Sequence, residues 1–246
     1  MYLTIQAIVL RVTDYNDRDA LLTVLTRDHG KLTVKARGLR RKNSPLIAPC
    51  QLLAYGEFTL FEYRGMYTIN EAHSIELFQH LRRDLTKLSL GTYFAQVAEV
   101  VSQEDLPNPE LQALLLNCLY GLSSLNLPES QVKATFELRV ACLAGYTPDL
   151  SGCCTCGNEL PDRFDLSSGQ LECSGCGRSE RGIRMPVTHG MLNAMQYICF
   201  CDPKKLFGYS LGEDNLEKLA SLTEGYLATQ LERGFSTLDF YKSLLI

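Results

Sequence analysis

Two matched cysteine pairs constrain the fold of this chain more than any other feature of its sequence. Each pair has the form Cys-x2-Cys, and sixteen residues separate the pairs, whose members are Cys153, Cys156, Cys173 and Cys176. Four thiolates at this spacing can surround one zinc ion as a tetrahedron. The segment between the pairs offers a very small set of core residues, Phe164, Leu166 and Leu171. Because so small a core does not fold alone, the pattern predicts a zinc ribbon that holds one structural Zn²⁺.

Disulfides, a redox dithiol and a catalytic zinc are the alternatives to this interpretation. Disulfides need an oxidising compartment, but residues 1–19 have neither the basic region nor the apolar run of a secretion signal. A redox Cys-x2-Cys motif does not usually occur as two matched copies. A catalytic zinc keeps one coordination position open, whereas four thiolates fill the shell. A structural role is therefore favoured.

The remaining cysteines do not share this spacing. Cys154 lies beside Cys153 and is an open alternative to it as a ligand, although the x2 spacing favours Cys153. Cys118, Cys142 and Cys199 lie among apolar residues at helical intervals. We expect these three to be small core side chains.

Residues 1–80 have the pattern of short β-strands. Turn signals, among them Asp28-His29-Gly30 and Arg64-Gly65, separate apolar or β-branched runs. The five runs are Leu3–Val12, Ala20–Thr26, Leu32–Ala36, Glu57–Tyr63 and Met66–Ala72. Five strands in so short a segment predict a small barrel, and the OB-fold is the commonest five-stranded barrel that binds nucleic acid.

After the strands, the hydrophobic period becomes that of helices. Asn108-Pro109 indicates a helix start, and further helices are expected over 129–144, 188–200 and 211–231. The predicted fold class is α+β multidomain: an N-terminal five-stranded OB-fold barrel, then an all-helical domain that carries the four-cysteine zinc ribbon as an insertion. The expected bounds are 1–80 for the barrel, 81–149 and 181–246 for the two parts of the helical domain, and 150–180 for the ribbon.

A basic stretch interrupts a chain that is acidic overall. The formal net charge is −4, yet residues 29–56 contain no Asp or Glu and six cations, namely Lys31, Lys35, Arg37, Arg40, Arg41 and Lys42. The period of two in the third strand places the first three of them on its solvent face. Nearby strands add Phe61, Tyr63 and Tyr67. A short run of cations is often only a solvated loop, but on a barrel with aromatic side chains it predicts binding to a nucleic-acid backbone.

The sequence has no signature of an enzyme. It contains no G-x-x-x-x-G-K-[ST] loop, no G-x-G-x-x-G after a strand and no G-x-S-x-G elbow, and its four histidines lack ligand spacing. No catalytic residue is therefore predicted. No stretch approaches the roughly 18 apolar residues that indicate a membrane span, so no membrane partner is expected.

Two segments resemble one bacterial family. Val34–Ser44, which runs on to Tyr55–Phe58, and Phe136–Asp149, which leads into Cys153, closely resemble the RecO family of recombination mediators, in particular its zinc-bearing, Gram-positive-like members. The resemblance covers essentially the whole chain in the same order. Arg139 lies in the second of these segments, and a structural role, such as an ion pair with Glu137, is open for it.

The resemblance implies a cytoplasmic, nucleoid-associated DNA-repair protein without catalytic turnover. Such a protein binds single- and double-stranded DNA, anneals complementary strands and helps to load recombinase onto strands coated by single-strand-binding protein, with RecR as partner. The resemblance implies that five cations contact DNA, namely Lys35, Arg37, Arg40, Arg41 and Lys42. The strand pattern adds Lys31 as a sixth. The alternative functions are a zinc-ribbon adaptor that binds proteins with weak DNA contact and a metal-dependent hydrolase, which would require an open metal position.

Overall fold

A computed structural model describes residues 2–176 and 182–245, and its N-terminal strands close into a five-stranded barrel. The barrel order is β1-β2-β3-β5-β4, in which β3 and β5 are parallel and every other pair is antiparallel. The strands are β1 Tyr2–Asp14, β2 Ala20–Thr26, β3 Lys31–Ala36, β4 Tyr55–Tyr63 and β5 Met66–Glu76. The OB-fold expected from the sequence is confirmed.

Strand β1 closes the barrel because it pairs on both sides. Its first half pairs with β4 and its second half with β2, with a β-bulge between Val9 and Arg11. A bulge bends and twists a strand, which lets one strand belong to two sides of a small barrel. Alternate residues of β3 are buried in the core, whereas Thr33 is exposed and Lys35 half-buried on the other face. The period of two thus gives the barrel its apolar interior.

Six α-helices follow the barrel in the described part of the chain: α1 Leu85–Val101, α2 Pro109–Ser123, α3 Glu129–Leu143, α4 His189–Phe200, α5 Glu213–Gln230 and α6 Ser236–Ser243. Their starts follow local sequence signals. Asn108 caps α2 by accepting a hydrogen bond from the Leu111 amide, with Pro109 in the first turn, as the sequence predicts. No helix in the described ranges is long and apolar enough to cross a membrane.

The chain divides into two compact units, residues 1–126 with 235–246, and residues 127–234. The first unit contains the barrel with α1, α2 and α6, and the second contains α3, α4, α5 and the cysteine segment. The helices that follow the barrel are thus shared between the units. The four domain ranges expected from the sequence stay a prediction, and residues 177–180 of the expected ribbon lie outside the described residues.

A small sheet carries the cysteines in the second unit. It has the order β6-β8-β7-β9, with β6 Asp149–Cys153, β7 Arg163–Asp165, β8 Gln170–Glu172 and β9 Arg184–Pro186. The three apolar residues expected in its core are buried. Phe164 packs edge-on against Tyr226 of α5 with ring centroids 5.2 Å apart, and Gln230 donates to the Leu166 carbonyl at 2.8 Å. Helix α5 therefore completes the core of the sheet.

A buried ionic cluster joins α3 to α5 within the same unit. The Lys133 ammonium lies 3.0 Å from a carboxylate oxygen of Glu137 and 2.8 Å from Glu224, and it donates to the Ala220 carbonyl at 3.0 Å. Thr223 donates to Glu137 at 2.7 Å. Burial raises the pKa of Glu137, and the positive charge of Lys133 opposes that shift. The cluster satisfies charges that would otherwise be costly to bury.

Candidate nucleic-acid interface and metal centre

Three of the six candidate DNA-contact cations are bound by neighbouring groups. The Lys31 ammonium donates to the Glu99 carbonyl of α1 at 3.0 Å. Lys35 lies 3.2 Å from the Asp19 carboxylate, and its ammonium is 4.5 Å from the centre of the Tyr15 ring. Arg40 has two partners in the segment before β2, described next. Lys31, Lys35 and Arg40 therefore stabilise the local structure, in addition to carrying positive charge.

Arg40 joins the basic loop to the β1–β2 loop. Its guanidinium lies 3.1 Å from the Asp14 carboxylate and donates to the Asn16 carbonyl at 3.1 Å. Its backbone amide donates to the Arg18 carbonyl, also at 3.1 Å. The exposed Arg18 is thereby placed beside the basic loop. Arg18 could not be recognised from the sequence, because Asp17 and Asp19 flank it and make the net charge of that segment negative.

The other three cations have no side-chain partner in the described part of the chain. Arg37, Arg41 and Lys42 are exposed, and across residues 2–176 and 182–245 the side chain of none of them has a hydrogen-bond or ion-pair partner. They lie on the loop that leaves the end of β3, where Gly38 makes a turn with φ of +69°. Their charges are therefore available to an anionic ligand.

Asp19 fixes the geometry of this loop, and sequence reasoning missed it. Its carboxylate accepts the Gly38 amide at 2.9 Å and the Asn16 side-chain amide at 3.1 Å, besides pairing with Lys35. The Gly38 amide, then the Asn16 amide and Lys35, lower the pKa of Asp19 to about 2. The only sequence signal was the cluster of turn formers at residues 16–19, directly before β2.

The aromatic side chains lie on β4 and β5, and β5 pairs with β3. The parallel register pairs Val34 with Tyr67, so the β4–β5 turn adjoins the first residues of β3 and the basic loop follows the last. Tyr63 is 61% exposed and Phe61 is 40% exposed, and Phe61 packs against Tyr2 with ring centroids 5.4 Å apart. Tyr67 instead packs on the barrel core. Phe61 pairs with Thr68, which pairs with Lys35, so Phe61 is level with the end of β3 that leads into the basic loop. Tyr63 is the last residue of β4, next to the β4–β5 turn.

The four cysteines expected to bind zinc come together. The sulfur atoms of Cys153, Cys156, Cys173 and Cys176 all lie within 4.8 Å of one another. Cys154 is exposed, and its sulfur faces the Thr155 hydroxyl at 3.8 Å. The cluster in the described part of the chain thus contains Cys153 and not Cys154, and Cys153 as a metal ligand stays a prediction.

Two similar turns and several N–H groups hold the four sulfurs. The Gly157 amide donates to the Cys153 carbonyl at 2.9 Å, and the Cys176 amide donates to the Cys173 carbonyl at the same distance. The Cys173 amide donates to the Cys153 sulfur at 3.3 Å, and the Asn158 side-chain amide donates to the Cys173 sulfur at 3.3 Å. Donors aimed at the sulfurs favour thiolates, the form that binds metal.

The surroundings of these thiols shift their pKa values in opposite directions. Backbone amides of Cys156 and Thr155 lower the pKa of Cys153 to about 6. The neighbouring Cys156 sulfur raises the pKa of Cys176 to about 12. Four thiolates so close together repel one another unless a cation lies between them. Four sulfurs this close together, with amide donors around them, fit Zn²⁺. Zn²⁺ prefers four ligands, so four thiolates would leave no position for a substrate water.

Comparison with known proteins identifies the family. Residues 1–78 match the family model described as Recombination protein O N terminal, and residues 82–239 match the model described as Recombination protein O C terminal. The chain belongs to the RecO family.

Curated RecO proteins match the chain over nearly its full length. A protein of Acetivibrio thermocellus named DNA repair protein RecO is 32% identical over 245 residues, which cover 99% of this chain and 97% of that protein. Proteins with the same name from Alkaliphilus metalliredigens and Bacillus pumilus are 28% and 27% identical; the matches cover 99% and 92% of this chain and 100% and 88% of those proteins. The family expected from the two sequence segments is confirmed.

Both candidate sites lie inside the RecO matches, with the basic loop in the N-terminal match and the four cysteines in the C-terminal match. Arg139, in the segment that first suggested RecO, has a structural role. Its guanidinium donates to the carbonyls of Ile198 and Cys199 at 3.0 and 2.6 Å and so closes the end of α4.

Proposed function

We propose that this chain is a DNA repair and recombination mediator that binds single- and double-stranded DNA through the loop after β3. The observation that carries the proposal is the set of three free cations, Arg37, Arg41 and Lys42, at one end of an OB-fold barrel. Each can neutralise a phosphate without breaking an existing ion pair. Phosphate contacts carry no sequence information, which suits a protein that must act on any damaged strand.

The bound cations support this role by shaping the loop. Asp19 and Asp14 hold Lys35 and Arg40, so the loop is ordered before DNA arrives and less conformational entropy is lost on binding. The proposed activity is strand annealing, together with recombinase loading onto strands coated by single-strand-binding protein. RecR and single-strand-binding protein are the proposed partners, in a cytoplasmic, nucleoid-associated setting and without catalytic turnover.

The four cysteines are proposed to bind one structural Zn²⁺. The ion would cross-link the two cysteine turns and fix the small sheet on α5. The proposed division of labour keeps 150–180 as a zinc ribbon between two helical segments, 81–149 and 181–246, and gives DNA binding to the barrel over 1–80.

Binding and annealing of labelled oligonucleotides at low salt test the proposed function. We expect the full chain to bind single strands and to speed the pairing of complementary ones. The variant Arg41→Glu/Lys42→Glu should lose both activities. Lys204→Glu/Lys205→Glu changes the charge equally at another pair of adjacent exposed cations, and it should keep both activities. Equal activity of the two variants would refute the assigned surface, and no binding by the full chain would refute the function.

A zinc-ribbon adaptor is the second candidate. Leu160 and Ile183 expose 61% and 63% of their area in and beside the cysteine segment, which favours a protein contact there. Capture of purified RecR or of single-strand-binding protein by a chain that does not bind DNA would support the adaptor. Loss of that capture in Leu160→Ser/Ile183→Ser would place the contact on these side chains.

A further inference from the structure

Two cysteines outside the metal centre face each other in the second unit. Cys142 lies in the last turn of α3 and Cys199 in the last turn of α4, and their sulfur atoms are 3.6 Å apart in a thiol hydrogen bond. The sequence predicts both to be core side chains, as Cys118 is. Cys118 is completely buried, whereas Cys142 is only partly buried. Cys142 therefore has both a thiol partner and a route to solvent.

The surroundings of the pair favour a reactive thiol at Cys142. Contact with Cys199 lowers the pKa of Cys142, and the Thr147 side chain and the positive charge of Arg139 act in the same direction. The same contact, together with burial, raises the pKa of Cys199. The Cys142 thiol thus loses its proton more readily, while Cys199 remains a protonated thiol. This asymmetry assigns different chemical roles to the two cysteines.

Arg139 also fixes the distance between the two helix ends. It lies one turn before Cys142 on α3, and its guanidinium donates to the carbonyls of Ile198 and Cys199 on α4. The backbone of Cys199 is therefore tied directly to the helix that carries Cys142. A disulfide requires sulfurs about 2.0 Å apart, and the two sulfurs already lie 3.6 Å apart as free thiols.

We propose that Cys142 and Cys199 form a modification site for hydrogen peroxide, which oxidises them to a reversible disulfide. The Cys142 thiolate attacks one peroxide oxygen, the O–O bond breaks, and the leaving hydroxide takes a proton to become water. Cys142 is then a sulfenic acid. The Cys199 sulfur attacks the Cys142 sulfur, its proton leaves with the hydroxyl as a second water, and the S–S bond forms. Peroxide gains the two electrons that the thiols lose, and a dithiol reductant reverses the step by exchange.

Peptide mapping of the intact zinc-loaded protein after limited peroxide treatment tests the proposal. Free thiols are alkylated under denaturing conditions, and disulfide-linked peptides are then identified by mass spectrometry. We expect a Cys142–Cys199 link, the loss of two alkylatable thiols, retained zinc, and recovery of both thiols with dithiothreitol. If peroxide first links the metal-binding cysteines and releases zinc, or leaves Cys142 alkylatable, the proposal is wrong. Mapping of the unsubstituted protein gives this answer without any variant.

Variants assign the order of the two steps. Cys199→Ser should stop at a Cys142 sulfenic acid that dimedone traps, whereas Cys142→Ser should leave Cys199 unmodified. Cys201→Ser is the matched control, because the Cys201 sulfur points to the Ile198 carbonyl at 3.9 Å and not to the pair. It should form the same disulfide as the unsubstituted protein. Dimedone labelling of Cys199 in Cys142→Ser would refute the assignment of Cys142 as the attacking thiol.

Discussion

The free cations of the basic loop give a quantitative prediction for DNA binding. Replacing Arg37, Arg41 and Lys42 with alanine removes three charges that have no partner in the described part of the chain, and it leaves Lys35 and Arg40 paired with their aspartates. Each phosphate neutralised on a single strand contributes about 0.7 to the slope of log affinity against log salt. If each cation contacts one phosphate, the slope of the triple variant should be shallower by about 2.

This difference in slope is large enough to measure. Between 50 and 200 mM salt, the unsubstituted chain should lose roughly 20-fold more of its affinity than the triple variant does. Fluorescence anisotropy of a labelled single strand at four salt concentrations gives both slopes. Lys204→Ala/Lys205→Ala, which removes adjacent exposed cations from the second unit, should keep the original slope.

The outcome that refutes the reasoning is equally specific. A triple variant that unfolds in urea like the unsubstituted chain, yet has the same slope, would mean that DNA does not contact these three side chains. A slope that falls equally in the Lys204/Lys205 control would mean that the net charge of the chain, and not the loop, sets the salt dependence.

Three further predictions concern metal binding, packing and pH. In metal analysis, Cys153→Ser should lose stoichiometric zinc, whereas Cys154→Ser should keep it. Chelation of the metal should raise amide hydrogen exchange around the cysteines, but it should not weaken DNA binding measured by anisotropy. Lys133→Met should lower the free energy of unfolding by about 3–5 kcal/mol, because it leaves Glu137 buried without its cation; urea denaturation that shows no loss would contradict this. The Asp19 carboxyl should titrate near pH 2 in NMR, since its pKa is lowered to about 2. Ionised Asp19 therefore stabilises the fold above the pKa of the unfolded chain, and this stabilisation is lost as the pH falls from about 4 to 2. A carboxyl that titrates near pH 4 would contradict the prediction.

Local signals predicted the elements of the fold well. Strand β2 has the bounds expected from the sequence, Ala20–Thr26, and α2 begins at Pro109 after the expected cap. Alternation, turn residues and caps act over a few residues, so they can be recognised without knowing the rest of the fold. Helix α6 was missed because its eight residues are too few for a clear helical period.

A local rule explains why Cys153, and not Cys154, belongs to the cysteine cluster. Successive residues of an extended strand point to opposite faces, and Cys153 is the last residue of β6. Only one of two adjacent cysteines can then face the second pair of sulfurs, and the x2 spacing identifies which one. Residue spacing therefore predicted the cluster of four sulfurs. It could not predict the pairing of Cys142 with Cys199, because 57 positions separate them and only tertiary packing brings them together.

The difference between local charge and total charge explains how an acidic chain can carry the proposed DNA-binding surface. At physiological ionic strength, exposed charges farther apart than about 8 Å are largely screened from one another, so the net charge of −4 does not decide what a phosphate meets at one loop. The sign of the charge near that loop decides whether a phosphate is attracted to it. Asp14 neutralises Arg40 of that loop and Asp19 neutralises Lys35 of the adjoining strand. These pairs also order the loop, and Arg37, Arg41 and Lys42 face solvent. Composition could not separate the bound cations from the free ones, because both kinds lie within the same basic stretch. DNA affinity should therefore follow these three side chains and not the total count of Lys and Arg.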